Sequence, residues 1–538
     1  MKKIVKVLGI LLFSIASFLI MFSSNINAQS NTIYVNLESL EYSTNKTEYQ
    51  KIIEYSTLED FLKDYNANSL PAIYITDFLF DGVSTVKTPD LDDFIENDSD
   101  DTKIKTLEIK VININYVGTT ELTGEITGAM IGVDTNNKKG NIDIVLNGVN
   151  VNTDSKKAPA IYVYNKDKNY TDCKVTIKTV VGTKNYIEGG KLKKVSLVGS
   201  DELANYSKYY SNDSLTNYNK YKSYYGIYTS EEISKILFAT VTADQEDLQD
   251  GDPYYFYKAS GAISSDIDLY FEGSGYLKVT SKNKEGIETK GNLTFSGGTG
   301  DYEIVAMDDC LNTTTASSAG TTVRNDIVID VNSLLAYVSE DAEEGDAIDS
   351  NGKLTINGGN IYAFACATSG DAGLDSTSGT YINGGTVIAT GNMADEISSE
   401  SKQKFIYTSF SKVSADTLII LKDQNNNIIM AFKTGRDIQN LVYSDANLNY
   451  ESYKIYTGGT IEGKETNGLY TEINSYIDGE EIASKDANIG RGMMNRRDNN
   501  DSSNIILIAL GAEIALLVIF STIYIVKIKK NSKEKKGV

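Results

Sequence analysis

The stretch Asp346-Ala-Ile-Asp349, followed by Leu354-Thr-Ile-Asn-Gly-Gly359, contains the two motifs that decide the fold. The first motif places an apolar residue between two acids. The second is a short strand of alternating apolar and polar residues that ends on a glycine pair, and glycine pairs permit tight turns. The chain therefore consists, in this region, of short strands joined by turns.

Both motifs recur on either side of this stretch. The glycine-pair motif returns at 293–298 and 381–385, and the acid-flanked motif returns at Glu285-Gly-Ile-Glu288, Asp309-Cys-Leu-Asn312, Asp371-Ala-Gly-Leu-Asp375 and Asp395-Glu-Ile-Ser398. Aligned on Ile263, Ile287, Leu311, Ile348, Leu374 and Ile397, the repeats are 24, 24, 37, 26 and 23 residues apart. A period near 24 with several strands per repeat predicts an all-β fold, a right-handed parallel β-helix or solenoid in which these apolar residues stack. A β-sandwich is the alternative, because regular strand spacing also fits one.

Stacked repeats would bring their acids close together. Equivalent positions on neighbouring parallel strands lie about 4.8 Å apart, so stacked carboxylates repel unless a cation lies between them. Calcium accepts irregular sets of carboxylate and carbonyl oxygens. The predicted metal ligands, here called the acidic row, are Glu285, Glu288, Asp308, Asp309, Asn312, Asp346, Asp349, Asp371 and Asp375. The alternative is an ordinary solvated acidic face.

The order of these motifs resembles that of a known family. Leu122-Thr-Gly-Glu-Ile-Thr-Gly128, Ile144-Val-Leu-Asn-Gly-Val-Asn150, Ala158-Pro-Ala-Ile-Tyr162 and Ala262-Ile-Ser-Ser265 precede the Gly-Ile-Glu and Asn-Gly-Gly series. Together they are similar to the calcium-binding, carbohydrate-binding domain-containing proteins of Gram-positive surfaces. The resemblance implies a pectate-lyase-like parallel β-helix, bound calcium, and an acidic or cellulosic plant polysaccharide as the partner. Cys310 departs from the family pattern, which has glycine there.

The two ends of the chain predict export and membrane attachment. A basic start, an apolar run and Ala28 are typical of a signal peptide over residues 1–28. Residues 505–526 are predominantly apolar and precede a lysine-rich tail, 527–538, which predicts one C-terminal transmembrane helix with a cytoplasmic C-terminus. The expected location is the cell membrane, single-pass, with the N-terminal domain extracellular. Between the ends we expect a cap region at 29–104, a β-helix at 105–475 and a polar stalk at 476–504.

Composition excludes several classes of function. The net charge of −22 disfavours nucleic acid as a partner. The absence of histidine excludes Ser-His and Cys-His catalysis and His-ligated metals. Three cysteines cannot form a disulfide framework.

A tyrosine-rich insertion at about 203–258 interrupts the repeats. Since the chain has no tryptophan, we expect tyrosine to supply the flat rings on which sugars stack. The candidates for sugar contact are Tyr209, Tyr210, Tyr224 and Tyr225. The alternative is a loop in which the tyrosines pack on one another.

Three functions fit these patterns. The favoured one is a calcium-binding, non-catalytic polysaccharide-binding or adhesion protein. The second is a polysaccharide lyase in which calcium binds a uronate and a lysine such as Lys282, Lys284 or Lys290 removes a proton. The third is a structural surface spacer with no affinity for glycans.

Overall fold

A computed structural model describes residues 32–76, 110–153, 159–165, 172–189, 261–282, 284–318, 321–448 and 452–486. Within these ranges the chain is all-β, with strands throughout and the single helix α1 (Leu58–Asn66). Thr57 caps this helix, since its side chain accepts a hydrogen bond from the Asp60 N–H.

The strands of the first half are, in chain order, β1 (Ile33–Asn36), β2 (Glu41–Ser43), β3 (Gln50–Lys51), β4 (Ile53–Glu54), β5 (Ile73–Thr76), β6 (Lys110–Ile114), β7 (Gly118–Thr127), β8 (Ala129–Asp134), β9 (Gly140–Asn152), β10 (Ile161–Tyr164), β11 (Cys173–Thr179), β12 (Lys184–Gly189), β13 (Ile263–Ser265), β14 (Leu269–Gly273), β15 (Tyr276–Ser281), β16 (Ile287–Thr289) and β17 (Leu293–Phe295). Those of the second half are β18 (Asp301–Ala306), β19 (Leu311–Thr313), β20 (Ala316–Ser318), β21 (Thr321–Val323), β22 (Ile327–Val338), β23 (Ile348–Ser350), β24 (Leu354–Phe364), β25 (Asp375–Ser376), β26 (Thr380–Ile382), β27 (Thr386–Gly391), β28 (Phe405–Val413), β29 (Leu418–Lys422), β30 (Ile428–Lys433), β31 (Ile438–Ser444), β32 (Ser452–Thr466) and β33 (Leu469–Asp486).

Two large sheets contain most of these strands. The strand order of the ten-stranded sheet is β25-β23-β19-β16-β13-β10-β8-β6-β5-β4. The remaining strands of the repeats belong to a seventeen-stranded sheet. From β8 to β25 the neighbours in the smaller sheet are parallel and in register. Ile263, Ile287, Leu311 and Ile348 are successive register partners, and all four are fully buried. Apolar residues of successive repeats therefore stack in the core.

Aromatic residues continue the same stacking in the larger sheet. Phe271 and Phe295 are register partners on β14 and β17, and their rings lie 4.7 Å apart in a stacked arrangement. Tyr302 meets the Phe295 ring edge-on at 4.9 Å. These three rings fill the interior with offset-stacked and edge-to-face contacts, the geometries that aromatic pairs prefer.

The C-terminal strands have a different arrangement. β31 pairs antiparallel with both β27 and β28, and β29, β30, β33 and β32 form a closed antiparallel barrel. The predicted uniform parallel β-helix is therefore wrong, because the chain reverses strand direction and closes a barrel within the range assigned to it. One reason is local: Asn467 and Gly468 both have positive φ, which turns β32 back into β33 as a hairpin.

The membrane prediction is also not supported. Among the described residues, no helix is long and apolar enough to cross a bilayer. The described residues do not include the predicted signal peptide, residues 487–504 of the predicted stalk, the predicted transmembrane segment 505–526 or the basic tail. The expected single-pass membrane location is corrected accordingly.

The second glycine of each pair has a backbone reason to be glycine. Gly298, Gly359 and Gly385 have φ of 65°, 105° and 91°, values that residues with a side chain rarely adopt. A Cβ on Gly385 would lie 2.4 Å from the Gly359 carbonyl oxygen, so the pairs of successive repeats also pack closely against each other.

We expect Gly385→Ala to lower the free energy of unfolding by about 1–3 kcal/mol, since it combines an unfavourable φ with a backbone clash. Gly370→Ala is the matched control, because its φ is not positive and a Cβ there would meet no atom within 4 Å. Urea unfolding followed by circular dichroism measures both variants. Equal stability of the two would contradict the proposed role of the glycine pair.

Candidate functional site

The parallel register aligns polar residues as well as apolar ones. Ser264, Glu288, Asn312, Asp349 and Asp375 are successive register partners on β13, β16, β19, β23 and β25. Each directly follows a buried apolar residue, and side chains alternate between faces along a strand. One face of the ten-stranded sheet therefore carries a continuous line of oxygen-bearing side chains.

A second line of acids lies in the turns that enter these strands. Gly286 donates its N–H to the Asp309 carbonyl at 2.8 Å, and Cys310 donates to the Asp346 carbonyl at 3.1 Å. These bonds place Glu285, Asp309 and Asp346 at equivalent positions in successive repeats. The structure thus aligns seven residues of the acidic row in two parallel lines, and Asp308 and Asp371 belong to neither line.

Several of the carboxylates organise the turns around them. Asp309 accepts hydrogen bonds from the Asp346 N–H at 2.8 Å and from the Asn312 side-chain amide at 2.5 Å. Asp346 accepts from the Ala372 N–H at 2.5 Å, and Asp371 accepts from the Gly345 N–H at 2.8 Å. Each acid therefore bonds to the backbone or side chain of a neighbouring turn, which fixes where the carboxylates lie.

Some oxygens of the acidic row have no such partner. Glu285 Oε2 and Asn312 Oδ1 are buried and accept no hydrogen bond from any described residue. A buried polar oxygen without a partner is costly, and a cation can satisfy it. Among the described residues, however, no three His, Cys, Asp or Glu side chains are already gathered as a metal centre. A cation would have to recruit carboxylates and carbonyls from adjacent turns.

Burial and mutual repulsion hold these acids in an unusual ionisation state. Burial, followed by the nearby charges of other acids, raises the pKa of Glu285 and of Asp346 to about 8. The same two causes raise the pKa of Asp309 and of Asp349 to about 7, and they also raise the pKa of Asp375. The acidic row therefore destabilises its own charged form.

The lysines near the acidic row are all engaged. Lys284 pairs with Asp308 at 2.8 Å, Lys282 pairs with Glu188, and Lys290 pairs with Asp266. None of these three lysines is placed as a free proton acceptor.

Some residues of this site were missing from the sequence prediction. Asp395 accepts hydrogen bonds from the Ser376 N–H and hydroxyl, and its charge contributes to the raised pKa of Asp375. Its motif, Asp-Glu-Ile-Ser, matches the repeat only loosely. Ile397, which the sequence aligns with the stacked apolar residues, instead forms an isolated β-bridge with Thr380.

The four tyrosines predicted to contact sugar lie outside the described residues: Tyr209, Tyr210, Tyr224 and Tyr225.

We expect the stability of the chain in a chelator to fall as the pH rises from 5 to 8. The folded acids retain protons up to pH 7–8, whereas unfolded acids lose them near pH 4. The folded state therefore binds more protons across this window, so its stability is highest at the lower pH. Thermal unfolding in EDTA should show a midpoint at least about 4 °C lower at pH 8 than at pH 5.

The control for this prediction is a pair of charge-removing variants. Asp346→Asn keeps an oxygen for the Ala372 N–H and should reduce the pH dependence. Glu48→Gln removes an exposed charge that lies far from Asp346 in the sequence, and it should leave the pH dependence unchanged. A midpoint that rises between pH 5 and 8 would contradict the assignment.

A sequence model of the carbohydrate-binding domain-containing protein family matches residues 108–216 and 227–434, more than half of the chain. Comparison with curated proteins and with solved structures gives no match. The matched region includes the whole acidic row and most of the two large sheets. The resemblance predicted from the motifs is confirmed, and the chain belongs to the carbohydrate-binding domain-containing protein family.

Proposed function

We propose that this protein binds calcium in the acidic row and uses the calcium-loaded form to bind polysaccharide without cleaving it. The family supports a polysaccharide partner. The observation that carries the calcium proposal is the in-register alignment of acids with the partnerless oxygens Glu285 Oε2 and Asn312 Oδ1.

Calcium fits the residues that are present. Two carboxylates about 4.8 Å apart repel by roughly 3.5 kcal/mol at an effective dielectric near 20, and a divalent cation between them removes this cost. The ligand types of the acidic row are carboxylates, one side-chain amide and turn carbonyls, all of them oxygens, which is the donor set that calcium prefers. The residues that would hold the ion are those of the acidic row, with Asp309, Asn312, Asp346 and Asp349 at its centre.

Bound calcium would also explain how an acidic protein surface binds an acidic polysaccharide. The net charge of −22 repels acidic polymers. Neutralising the acidic row lowers this repulsion and leaves cations that can accept ligands from uronate or hydroxyl oxygens. We therefore infer an acidic or cellulosic plant polysaccharide as the partner, as the family resemblance implies.

The lyase alternative assigns the base to a lysine, and none of the three candidate lysines is free. Lys282, Lys284 and Lys290 are each held in an ion pair with an acid. A lyase needs an unprotonated group beside the sugar carbon that loses its proton. The ion pairs support binding without cleavage.

We expect the full-length protein to be retained on insoluble or gel-embedded acidic polysaccharide in calcium and released by EDTA. Asp346→Asn removes a central carboxylate and should weaken calcium binding, measured by isothermal titration calorimetry, by tenfold or more, which corresponds to about 1.4 kcal/mol. Polysaccharide retention at limiting calcium should fall with it. Glu48→Gln serves as the matched control and should behave as the parent chain.

The same assay separates the other functions. Ultraviolet absorbance from unsaturated sugar products would show a lyase and contradict the proposal of binding without cleavage. Calcium binding with no retention on any polysaccharide would favour a structural spacer. Unaltered calcium affinity in Asp346→Asn would contradict the proposal that the acidic row is the calcium site.

A further inference from the structure

A cavity of about 360 Å³ lies between the large sheet and the barrel. Residues of β22, β24 and β27 form one side, and residues of β30 and of the turn between β32 and β33 form the other. Ligand pockets in proteins are typically about 300–1,000 Å³. The cavity is therefore large enough for one small ring compound, and it is separate from the residues of the acidic row.

Aromatic rings supply the walls of this cavity. Tyr337 meets Phe364 edge-on with ring centres 6.2 Å apart, and Phe432, from the barrel, lies 5.9 Å from Phe364. Phe364 and Phe432 are buried. Flat apolar faces of this kind suit the apolar faces of ring compounds.

Arg436 places a positive charge against these walls. Its side chain is buried, with only 7% of the residue exposed. The guanidinium lies 3.9 Å from the centre of the Tyr337 ring, and it donates to the carbonyls of Ala365 at 2.6 Å and Val338 at 2.7 Å. A guanidinium has five N–H donors. Two of them bond to these carbonyls, the Tyr337 side chain also hydrogen-bonds to the guanidinium, and the buried Nε has no partner.

The charge of Arg436 has no carboxylate partner among the described residues, since none of their ion pairs includes it. The two acids that line the cavity are bonded to other residues of its lining. Asp416 is exposed and pairs with Lys433 at 3.1 Å, and Glu465 accepts the Gly468 N–H at 2.5 Å. A buried cation without a counter-ion is costly, and capping two carbonyls does not require a full charge.

We propose that this cavity is a second carbohydrate subsite, which binds a single carboxylate-bearing sugar residue. The sugar ring would pack on the aromatic walls, and its carboxylate would supply the counter-ion that Arg436 lacks. Arg436 is suited to this because guanidinium groups bind carboxylates through several N–H donors at once. The inference rests on the proposed function only in taking a sugar as the ligand, because the cavity uses no residue of the acidic row.

The test uses the full-length protein and two monosaccharides, D-galacturonate and D-galactose, which differ at the carboxylate. Ligand-observed NMR titration in EDTA should show millimolar binding of galacturonate and at least tenfold weaker binding of galactose. Arg436→Gln should weaken galacturonate binding at least tenfold. Arg324→Gln, which changes an exposed arginine, should leave the affinity unchanged.

A second variant tests the cavity without altering Arg436. Gly435 lines the cavity, its φ is not positive, and a Cβ there would meet no atom within 4 Å. Gly435→Leu adds a bulky side chain at the lining without a backbone clash, so it should weaken galacturonate binding at least tenfold while the thermal midpoint stays near that of the parent. If Arg436→Gln unfolds, the Gly435→Leu variant still tests whether the cavity binds galacturonate.

Failure of this proposal is distinguishable from failure of the proposed function. Asp346→Asn should lose calcium-dependent retention on polysaccharide and keep its affinity for galacturonate in EDTA. Equal binding of the two monosaccharides, no binding of galacturonate by the parent, or undiminished binding in Gly435→Leu would each overturn the subsite.

Discussion

The in-register parallel pairing of successive strands is the constraint on which the rest of this structure depends. It places equivalent residues of neighbouring repeats about one strand spacing apart, whatever their chemistry. For Ile263, Ile287, Leu311 and Ile348 the result is a buried apolar stack. For Glu288, Asn312, Asp349 and Asp375 the same register produces a line of mutually repelling groups. Core and candidate site are therefore two outcomes of one geometry.

This coupling explains why the acids are tolerated. Asp309, Asp346 and Asp371 each accept a backbone N–H from an adjacent turn, so they contribute to the turn structure even when their charge is unfavourable. Removing them would leave backbone donors without partners, which is also costly. The fold retains the acids for local bonding, and their repulsion remains available to be relieved by a cation. Stability and ion binding are thus linked through the same side chains.

The features that could be predicted from sequence are those that repeat at short range. The recurrence of an apolar residue between acids predicts the stacked core positions Ile263, Ile287, Leu311 and Ile348, although it wrongly extends the stack to Ile397. The antiparallel pairing of β27 with β31 has no counterpart in the repeat motifs. The later β32–β33 hairpin does have a local signal, Asn467-Gly468, but it lies beyond the last repeat. Arg436 was not predictable. Its partners Val338 and Ala365 are 98 and 71 residues away, and no local pattern records such contacts.

The change of strand direction at β27 has a consequence for self-association. A parallel sheet that ended on a free strand of the repeat type would present the same edge that each repeat presents to the next. Another molecule could add to that edge in register, and such edges are templates for fibre growth. Here β27 is covered by β31, which runs antiparallel and is itself covered by β28. At this end of the larger sheet the antiparallel strands therefore cover the edge to which a further repeat, or another molecule, would otherwise pair.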